Sequence, residues 1–452
     1  MASNLKLFKH QQVSVNFLAN NEKVADFSDP GCGKTCVEII AYAKRPKRKA
    51  ALVIAPKSLL QAAWENDFRK FAPNIKCSVA FAHNRKKAMN APADVYITNH
   101  DAVKDLLTYP ASYWKKFDTL IVDESTAFKH HTTSRSKALA KLAKHFKYRR
   151  IMSGTPTSNG ICDLWHQIYI LDEGKRLGKS FTGFRNAVCV PEQVGPMPNM
   201  VKWIDKEGIE EKIYLLLHDI VIRHKFEECV DIPPNHTYSL SYELPKKHMA
   251  HYTELQDSSL LLINESSISA INGAVLYTKL LQAASGAAYD DYGNYTVLDT
   301  GRYELVMDLV EERDHSVVFF NWGHQKNELI RIAEARKLPY AVIDGKTPVQ
   351  EREQITKHYQ SGFYRVLFAH PQSAGHGLTL TRGRTTIWAS PTPNLEHFQQ
   401  GNRRIYRISQ TQKTETIVIV APGTVDERVY KALQGKQVRM DALLKELQCS
   451  TL

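Results

Sequence analysis

The sequence predicts an α/β protein with two parallel-sheet domains. Three observations lead there. Apolar, β-branched runs alternate with helical stretches in one series over residues 24–152, and a second series follows over 316–420. A glycine-containing loop, Asp29-Pro30-Gly31-Cys32-Gly33-Lys34-Thr35, lies between a short strand and a helix in the first series only. The chain of 452 residues is long enough for two or perhaps three domains, at roughly 100–200 residues each.

The loop is the densest chemical signal. A phosphate-binding loop reads G-x-x-x-x-G-K-[ST] in its usual form. Here Phe27 to Cys32 precede Gly33, so the first glycine is missing while Gly31-Cys32-Gly33-Lys34-Thr35 is intact. Residues 24–27 supply a strand, and a helix begins near Cys36. Glycines let backbone wrap a phosphate, the helix start offers N–H groups, and Lys34 can neutralise the β/γ-phosphates. The Thr35 hydroxyl suits Mg²⁺. Residues 8–18 alternate as a helix, on which Gln11 can read adenine because its side chain both donates and accepts hydrogen bonds.

The remaining elements follow in order. Residues 50–55 are a continuous apolar run, followed by a helix over 59–71 and strands at 77–82 and 95–98. Residues 118–122 form an apolar strand delivering Asp123-Glu124-Ser125-Thr126. Carboxylates at such a strand end can hold Mg²⁺ (Asp123) and orient or deprotonate an attacking water (Glu124). A strand at 149–152 runs into Ser153-Gly154-Thr155-Pro156, whose hydroxyls are expected to touch Asp123 or Glu124. Repeated Gly and Pro make 171–203 an insertion or linker, with Lys202, Trp203 and nearby basic residues able to meet a nucleic-acid backbone and base. Residues 213–221 are read as a helix, and Ile232-Pro233-Pro234 as a boundary.

The second half starts with a strand at 237–242, helices at 245–261 and 273–283, and a hairpin or loop at 287–299. Strands are expected at 316–320, 340–343, 365–369 and 386–389, with 416–420 at the edge. Helices over 324–335 and 350–359 lie between them. The chain divides accordingly into 1–165, an insertion and linker region 166–232, and 233–452. Ser373 to Thr381 has glycines that permit close backbone approach to a ligand. In the run from Gln399 to Gln410, Arg404 and Arg407 share a helical face by i,i+3 spacing. Their guanidinium forks suit a transferring phosphate.

Composition bounds the function. Lys and Arg total 60 against 47 Asp and Glu, a formal charge of +13, which favours a polyanionic partner. The seven cysteines contain no C-x-x-C pair, which argues against a zinc ribbon or disulfide framework. The sequence shows no signal-peptide apolar segment and no run of ~18 apolar residues. A soluble, cytoplasmic protein is the expectation.

Taken together, the motifs closely resemble the superfamily 2 helicase-like ATPases of the Snf2-like group, over about residues 8–430. Phe8 to Leu18 is similar to the entry helix, with Gln11 in the adenine-reading position. Lys34-Thr35 closes the shortened phosphate loop, Val53 to Leu60 with Trp64 resembles motif Ia, and Thr98-Asn99-His100 motif Ib. Asp123-Glu124-Ser125-Thr126 occupies the DEAH-box position, with Ser125 and Thr126 replacing alanine and histidine. Ser153-Gly154-Thr155-Pro156 resembles motif III, and Arg223, Lys225 and Pro233 the segment that closes the first lobe. Val317 to Asn321 resembles motif IV and Ala374 to Thr381 motif V. Gln400, Arg404, Arg407 and Gln410 match motif VI.

The resemblance implies two RecA-like parallel-sheet lobes with an ATP site in the cleft between them. Gln11, Gly31, Gly33, Lys34, Thr35, Gly377 and Gln400 would bind nucleotide, and Thr35 and Asp123 the Mg²⁺. Lys34, Asp123, Glu124, Arg404 and Arg407 would form the catalytic set. It also implies ATP-driven translocation on duplex DNA gripped through backbone phosphates, in a compact chain like phage or prophage members. Such a chain would work in the host cytoplasm, with no membrane partner. The alternatives are a strand-separating DNA helicase, for which 287–299 could supply a wedge, an RNA helicase, and a non-catalytic DNA-binding module.

Overall fold

The computed structural model describes residues 7–193, 200–264, 270–374 and 378–448, with backbone alone at 258–264, 270–274 and 446–448. The chain separates into two compact units, one of residues up to Asp231 together with those from Lys436, the other Ile232–Gly435.

In the first unit the strands are β1 (Lys23–Asp26), β2 (Ala50–Ala55), β3 (Cys77–Ala80), β4 (Val95–Asn99), β5 (Phe117–Asp123) and β6 (Tyr148–Met152). A two-stranded antiparallel ribbon follows, β7 (Cys189–Gln193) with β8 (Val201–Asp205), and then β9 (Val221–Ile222). The main sheet has the order β3-β4-β2-β5-β6-β1-β9 and is parallel throughout. Its centre explains the apolar runs: every residue of β2 after Ala50 is buried, as a strand covered on both faces requires. Trp64, Phe68 and Ile39 fill one side of that core.

The second unit contributes β10 (Asn235–Ser241), a hairpin of β11 (Ala287–Tyr289) and β12 (Tyr295–Val297), and β13 (Ser316–Phe319). β14 (Tyr340–Ile343), β15 (Val366–Ala369), β16 (Thr385–Trp388) and β17 (Thr414–Val420) complete it. The sheet order is β10-β17-β16-β13-β15-β14, again parallel at every pairing.

Two sequence expectations change, and two other regions gain detail. The strand over 416–420 is not at the edge, because β10 pairs along its whole length, from Asn235 opposite Thr414 to Ser241 opposite Val420. The largely exposed β10 is the edge strand on that side of the sheet. Residues 171–203, expected as insertion or linker elements, hold the end of the helix Leu164–Asp172, the helix Phe181–Val188, and the β7–β8 ribbon. The helix read over 213–221 runs Ile209–Leu217, and Val221–Ile222 turns into the sheet beside β1. Finally, the last helix, Val425–Gln448, does not belong wholly with the second unit. From Lys436 it counts with the first, where Met440 and Leu443 line a small cleft with Ile161 and Thr157.

One ion pair anchors the interior of the second unit. Arg302 Nη2 donates to Asp426 Oδ2 at 2.8 Å with both side chains almost wholly buried, and it also reaches the Ala284 carbonyl at 2.9 Å. Removing one member leaves a buried charge without its counter-ion. Asp426→Ala is therefore expected to cost about 3–5 kcal/mol of stability, read as a lower urea midpoint for this unit; an unchanged midpoint would contradict the assignment.

Candidate functional site

The parallel sheet of the first unit delivers its chemistry at the carboxyl ends of β1, β5 and β6, where open α/β sheets bind ligands. β1 ends at Asp26, whose Oδ1 accepts the Ser28 N–H at 2.9 Å and starts the loop. Gly31 and Gly33 have φ of +98° and +81°, and the helix Lys34–Lys44 begins directly after them. Its first N–H groups lack intrahelical acceptors, which suits an anion. Lys34 Nζ donates to the Ser28 carbonyl at 2.6 Å and the Asp29 carbonyl at 3.2 Å, so its ammonium lies inside the loop.

Gln11, on the helix Lys9–Asn20, lies against this loop. Its Nε2 donates to the Cys32 carbonyl at 3.4 Å, and its Oε1 accepts the Phe8 N–H at 3.1 Å. The left-handed φ at residue 33 favours glycine, and a Cβ there would stand 2.4 Å from Gln11 Nε2, so a larger residue would also push that side chain from its place.

A second segment clamps the loop from residues 223–226. Arg223 forms a buried ion pair with Asp29 and reaches the Phe27 carbonyl at 3.3 Å. The Asp29 N–H donates to the His224 carbonyl at 3.0 Å, the His224 N–H to Ser28 Oγ at 3.1 Å, and the Phe226 N–H to Asp29 Oδ2 at 3.0 Å. A Cβ at residue 31 would be 2.8 Å from the Phe226 ring. Sequence reading singled out Arg223 but not this role, because the partners are nearly two hundred residues apart.

β5 ends in the two carboxylates. Asp123 is buried; Trp64 Nε1 donates to its Oδ2 at 2.9 Å and the Glu124 N–H to its Oδ1 at 3.0 Å. Burial raises the Asp123 pKa, and the Trp64 bond and the Lys34 charge oppose that rise. A buried carboxylate near an ammonium, a Thr35 hydroxyl in the first helical turn and a phosphate-binding loop together form an oxygen donor set that fits Mg²⁺ with a phosphate. Glu124 turns out of the strand with φ +50°, a left-handed conformation strained for a residue of this size. His100 Nε2 meets the Asp123 carbonyl at 2.8 Å, and the Ala127 N–H donates to the Glu124 carbonyl at 3.0 Å, which hold that turn.

The expected hydroxyl relay from β6 takes another route. Ser153 Oγ accepts the Thr155 N–H at 3.1 Å, and Thr155 Oγ1 has no hydrogen-bond partner among the described residues. The link runs instead through Gln167, which sequence reading missed. Its Oε1 accepts from Ser125 Oγ at 2.7 Å, and its Nε2 donates to the Pro156 and Asp163 carbonyls, both at 2.8 Å. Serine in place of alanine after Glu124 thus has a definite hydrogen-bonding task. Lys129 adds a parallel tie, bonding Ser158 Oγ at 2.8 Å and Asp163 Oδ2 at 3.0 Å. Trp203 is stacked under the Arg185 guanidinium at 3.9 Å, so its face is engaged within the unit.

In the second unit the helix Leu395–Asn402 stops before the two arginines, so Arg404 and Arg407 do not share a helical face. They meet through turns. Arg404 Nη1 and Arg407 Nη1 both donate to the Leu378 carbonyl, at 3.3 and 2.8 Å, and Arg407 also to Thr379 Oγ1 at 2.9 Å. Arg404 Nε holds the Gln400 carbonyl at 2.7 Å, and Gln400 Nε2 donates to Glu396 Oε1 at 3.2 Å. Gln410 closes the group on the Thr381 and Gly383 carbonyls at 3.0 and 3.1 Å. Gly377 lies outside the described residues.

Each unit thus brings its own candidate residues together. Gln11, Gly31, Gly33, Lys34, Thr35, Asp123 and Glu124 gather in the first, and Gln400, Arg404 and Arg407 in the second. Two parallel sheets in tandem, the first carrying a phosphate loop and a strand-end Asp-Glu pair, define a helicase-like ATPase.

Comparison with known proteins narrows the class. Residues 10–285 match the family model described as SNF2-related domain, and residues 301–409 match the helicase conserved C-terminal domain. The chain belongs to the SNF2-related family, within the superfamily 2 helicase-like ATPases with RecA-like lobes. It is 29% identical to putative protein p41 of Acyrthosiphon pisum secondary endosymbiont phage 1, over 97% of this chain and 98% of that one. It is 25% identical to the putative ATP-dependent helicase/translocase YwqA of Bacillus subtilis, over 92% of this chain but 46% of YwqA, so it spans less than half of that relative. A solved structure, the Sulfolobus solfataricus SWI2/SNF2 ATPase core in complex with dsDNA, is similar at 21% identity over 97% of this chain and 93% of that one, with a TM-score of 0.43. Among the described residues no helix is long and apolar enough to cross a membrane.

Proposed function

We propose that the protein couples ATP hydrolysis to translocation along double-stranded DNA, with closure of the two lobes as the coupled motion. The observation that carries this reading is that Lys34, at the start of the helix after the loop, and Asp123 and Glu124, at the end of β5, gather in a chain of the SNF2-related family. Lys34 and the loop N–H groups hold the β/γ-phosphates, Gln11 reads adenine, and Thr35 and Asp123 hold Mg²⁺. The ion supplies neutralisation of phosphate charge. Glu124 orients and deprotonates the attacking water. Arg404 and Arg407 act on the γ-phosphate, and Gly377 and Gln400 add nucleotide contacts from the second lobe.

The description of YwqA as a helicase/translocase supports the motor reading, and the excess of 60 Lys and Arg over 47 Asp and Glu supports a nucleic-acid track. Backbone-phosphate contacts give little sequence preference and strong salt dependence. The protein would work in the cytoplasm. Hydrolysis measured without nucleic acid and with single strands, duplex DNA or RNA tests the proposal. Stimulation by duplex, rising with its length and falling steeply with salt, is expected; stimulation by RNA or single strands alone would sink it.

A strand-separating helicase is the second reading, favoured by the β11–β12 hairpin, whose turn carries Tyr292 at 93% exposure. Third-strand displacement from a triplex without unwinding of a forked duplex separates the first reading from the second. Unwinding that is lost in Tyr292→Ala would favour the wedge.

A further inference from the structure

Toward their carboxyl ends, the helices Lys9–Asn20 and Lys34–Lys44 border a cavity of about 180 Å³ that ATP chemistry leaves unused. Val15 and Leu18 line it from the first helix and Ala41 from the second, while Thr119 of β5 and Arg150 of β6 line it from the sheet. Asn16, Lys44 and Pro46 are its exposed members. Glu38, one turn after Lys34, also lines it and is only 2% exposed.

The buried polar groups around this cavity have partners, with one exception. Arg150 Nη2 donates to the Leu18 and Asn21 carbonyls at 2.8 and 2.6 Å, at a helix end that favours a cation. Arg45 is paired with Asp118 at 2.6 Å and donates to Thr119 Oγ1 at 2.7 Å. The Tyr42 hydroxyl reaches the Lys49 and Asp94 carbonyls at 2.9 and 3.0 Å. Glu38 Oε1 alone among them has no hydrogen-bond partner among the described residues. A buried polar atom in that state is costly, and native proteins rarely leave one so.

Burial pushes the Glu38 carboxyl up to about 8, with the Arg150 charge opposing the rise and Asp26 and Asp123 adding to it. At neutral pH the group is therefore an acid, with one donor beside one acceptor. Its complement carries an acceptor and a donor on neighbouring atoms, as a primary carboxamide does. The apolar helix faces and the small volume restrict the rest of such a molecule to a compact apolar body.

We propose that this cavity binds a small primary carboxamide with an apolar body, its amide edge paired with Glu38. The amide N–H donates to one carboxyl oxygen, and the amide carbonyl accepts from the other. The body packs among Val15, Leu18 and Ala41. A ligand seated there touches both the helix that carries Gln11 and the helix that opens at Lys34. The site itself does not rest on the ATP reading.

The test is calorimetric titration of the full chain at pH 7 with benzamide and with acetophenone, which has the same shape but a methyl group in place of the amide nitrogen. Saturable benzamide binding is expected, with acetophenone about tenfold weaker or more, because it leaves a Glu38 oxygen unpaired. Glu38→Leu should weaken benzamide and bring the two ligands level. Ala41→Leu, which fills the cavity, should abolish both. Where a variant fails to fold, the ratio of the two ligands on the wild-type chain decides. Absence of saturable binding, equal affinity of the wild-type chain for both ligands, or undiminished benzamide binding by either folded variant overturns the site. Displacement of benzamide by ATP would place it in the nucleotide loop and overturn the site as well. A chain that never hydrolyses ATP yet binds benzamide in this pattern fails the ATP reading alone.

Discussion

Glu124→Gln is expected to lower kcat for ATP hydrolysis by about 10²–10⁴-fold, the usual contribution of a positioned general base, with ATP affinity close to wild type. The amide matches the carboxylate in shape, so the left-handed turn at residue 124 and its bonds to Asp123 and Ala127 persist. Only the basicity is lost. Steady-state hydrolysis beside equilibrium nucleotide binding separates the two quantities. A parallel loss of both would mean that the residue organises the loop rather than activating water, and full activity would move the base elsewhere.

Arg407→Ala should be as severe or worse, reducing DNA-stimulated hydrolysis by about 10³–10⁵-fold if the residue stabilises charge on the transferring phosphoryl group. Arg407 and Arg404 meet on the Leu378 carbonyl but are held differently. Arg404 is buried and bonded to Gln400 as well, whereas Arg407 is half-buried and held by Leu378 and Thr379. Arg404→Ala should therefore lower the thermal midpoint along with the rate, while Arg407→Ala lowers the rate alone. Lysine at 407 should not restore activity, since a single ammonium cannot reproduce the planar fork. A modest effect of Arg407→Ala, with normal folding, would remove it from the catalytic set.

The parts of the fold legible in the sequence are those whose cause is local. Ala50 to Ala55 reads as a strand because a parallel strand covered on both faces is apolar at every position, and the loop around Gly33 reads from its Lys-Thr ending. What escaped depends on partners far along the chain. Val221-Ile222 looks like the tail of an apolar helix until β1 is there to pair with it. β7 is exposed after Cys189 and carries Pro191, and β8 is only half-buried, so neither shows the clean apolar alternation that marks a strand. The spacing of Arg404 and Arg407 suggests a helix, yet the chain turns at Arg403 so that both can reach Leu378. Gln167 carries no motif; its role appears only when Ser125 and Pro156 stand on either side of it.

The position of β1 also governs the order in which the protein can be made. The strand that leads into the nucleotide loop lies between β6 and β9, and the loop is clamped by residues up to Phe226. During synthesis the strands up to β6, which ends at Met152, can emerge without that loop acquiring its final supports, because contacts distant in sequence must wait for the chain. The residues from Lys436 onward, counted with the same unit, lengthen the wait further. The nucleotide loop is thus encoded early and completed late, and a ribosome-bound fragment ending before β9 should display a loop open to proteolysis that the finished chain protects.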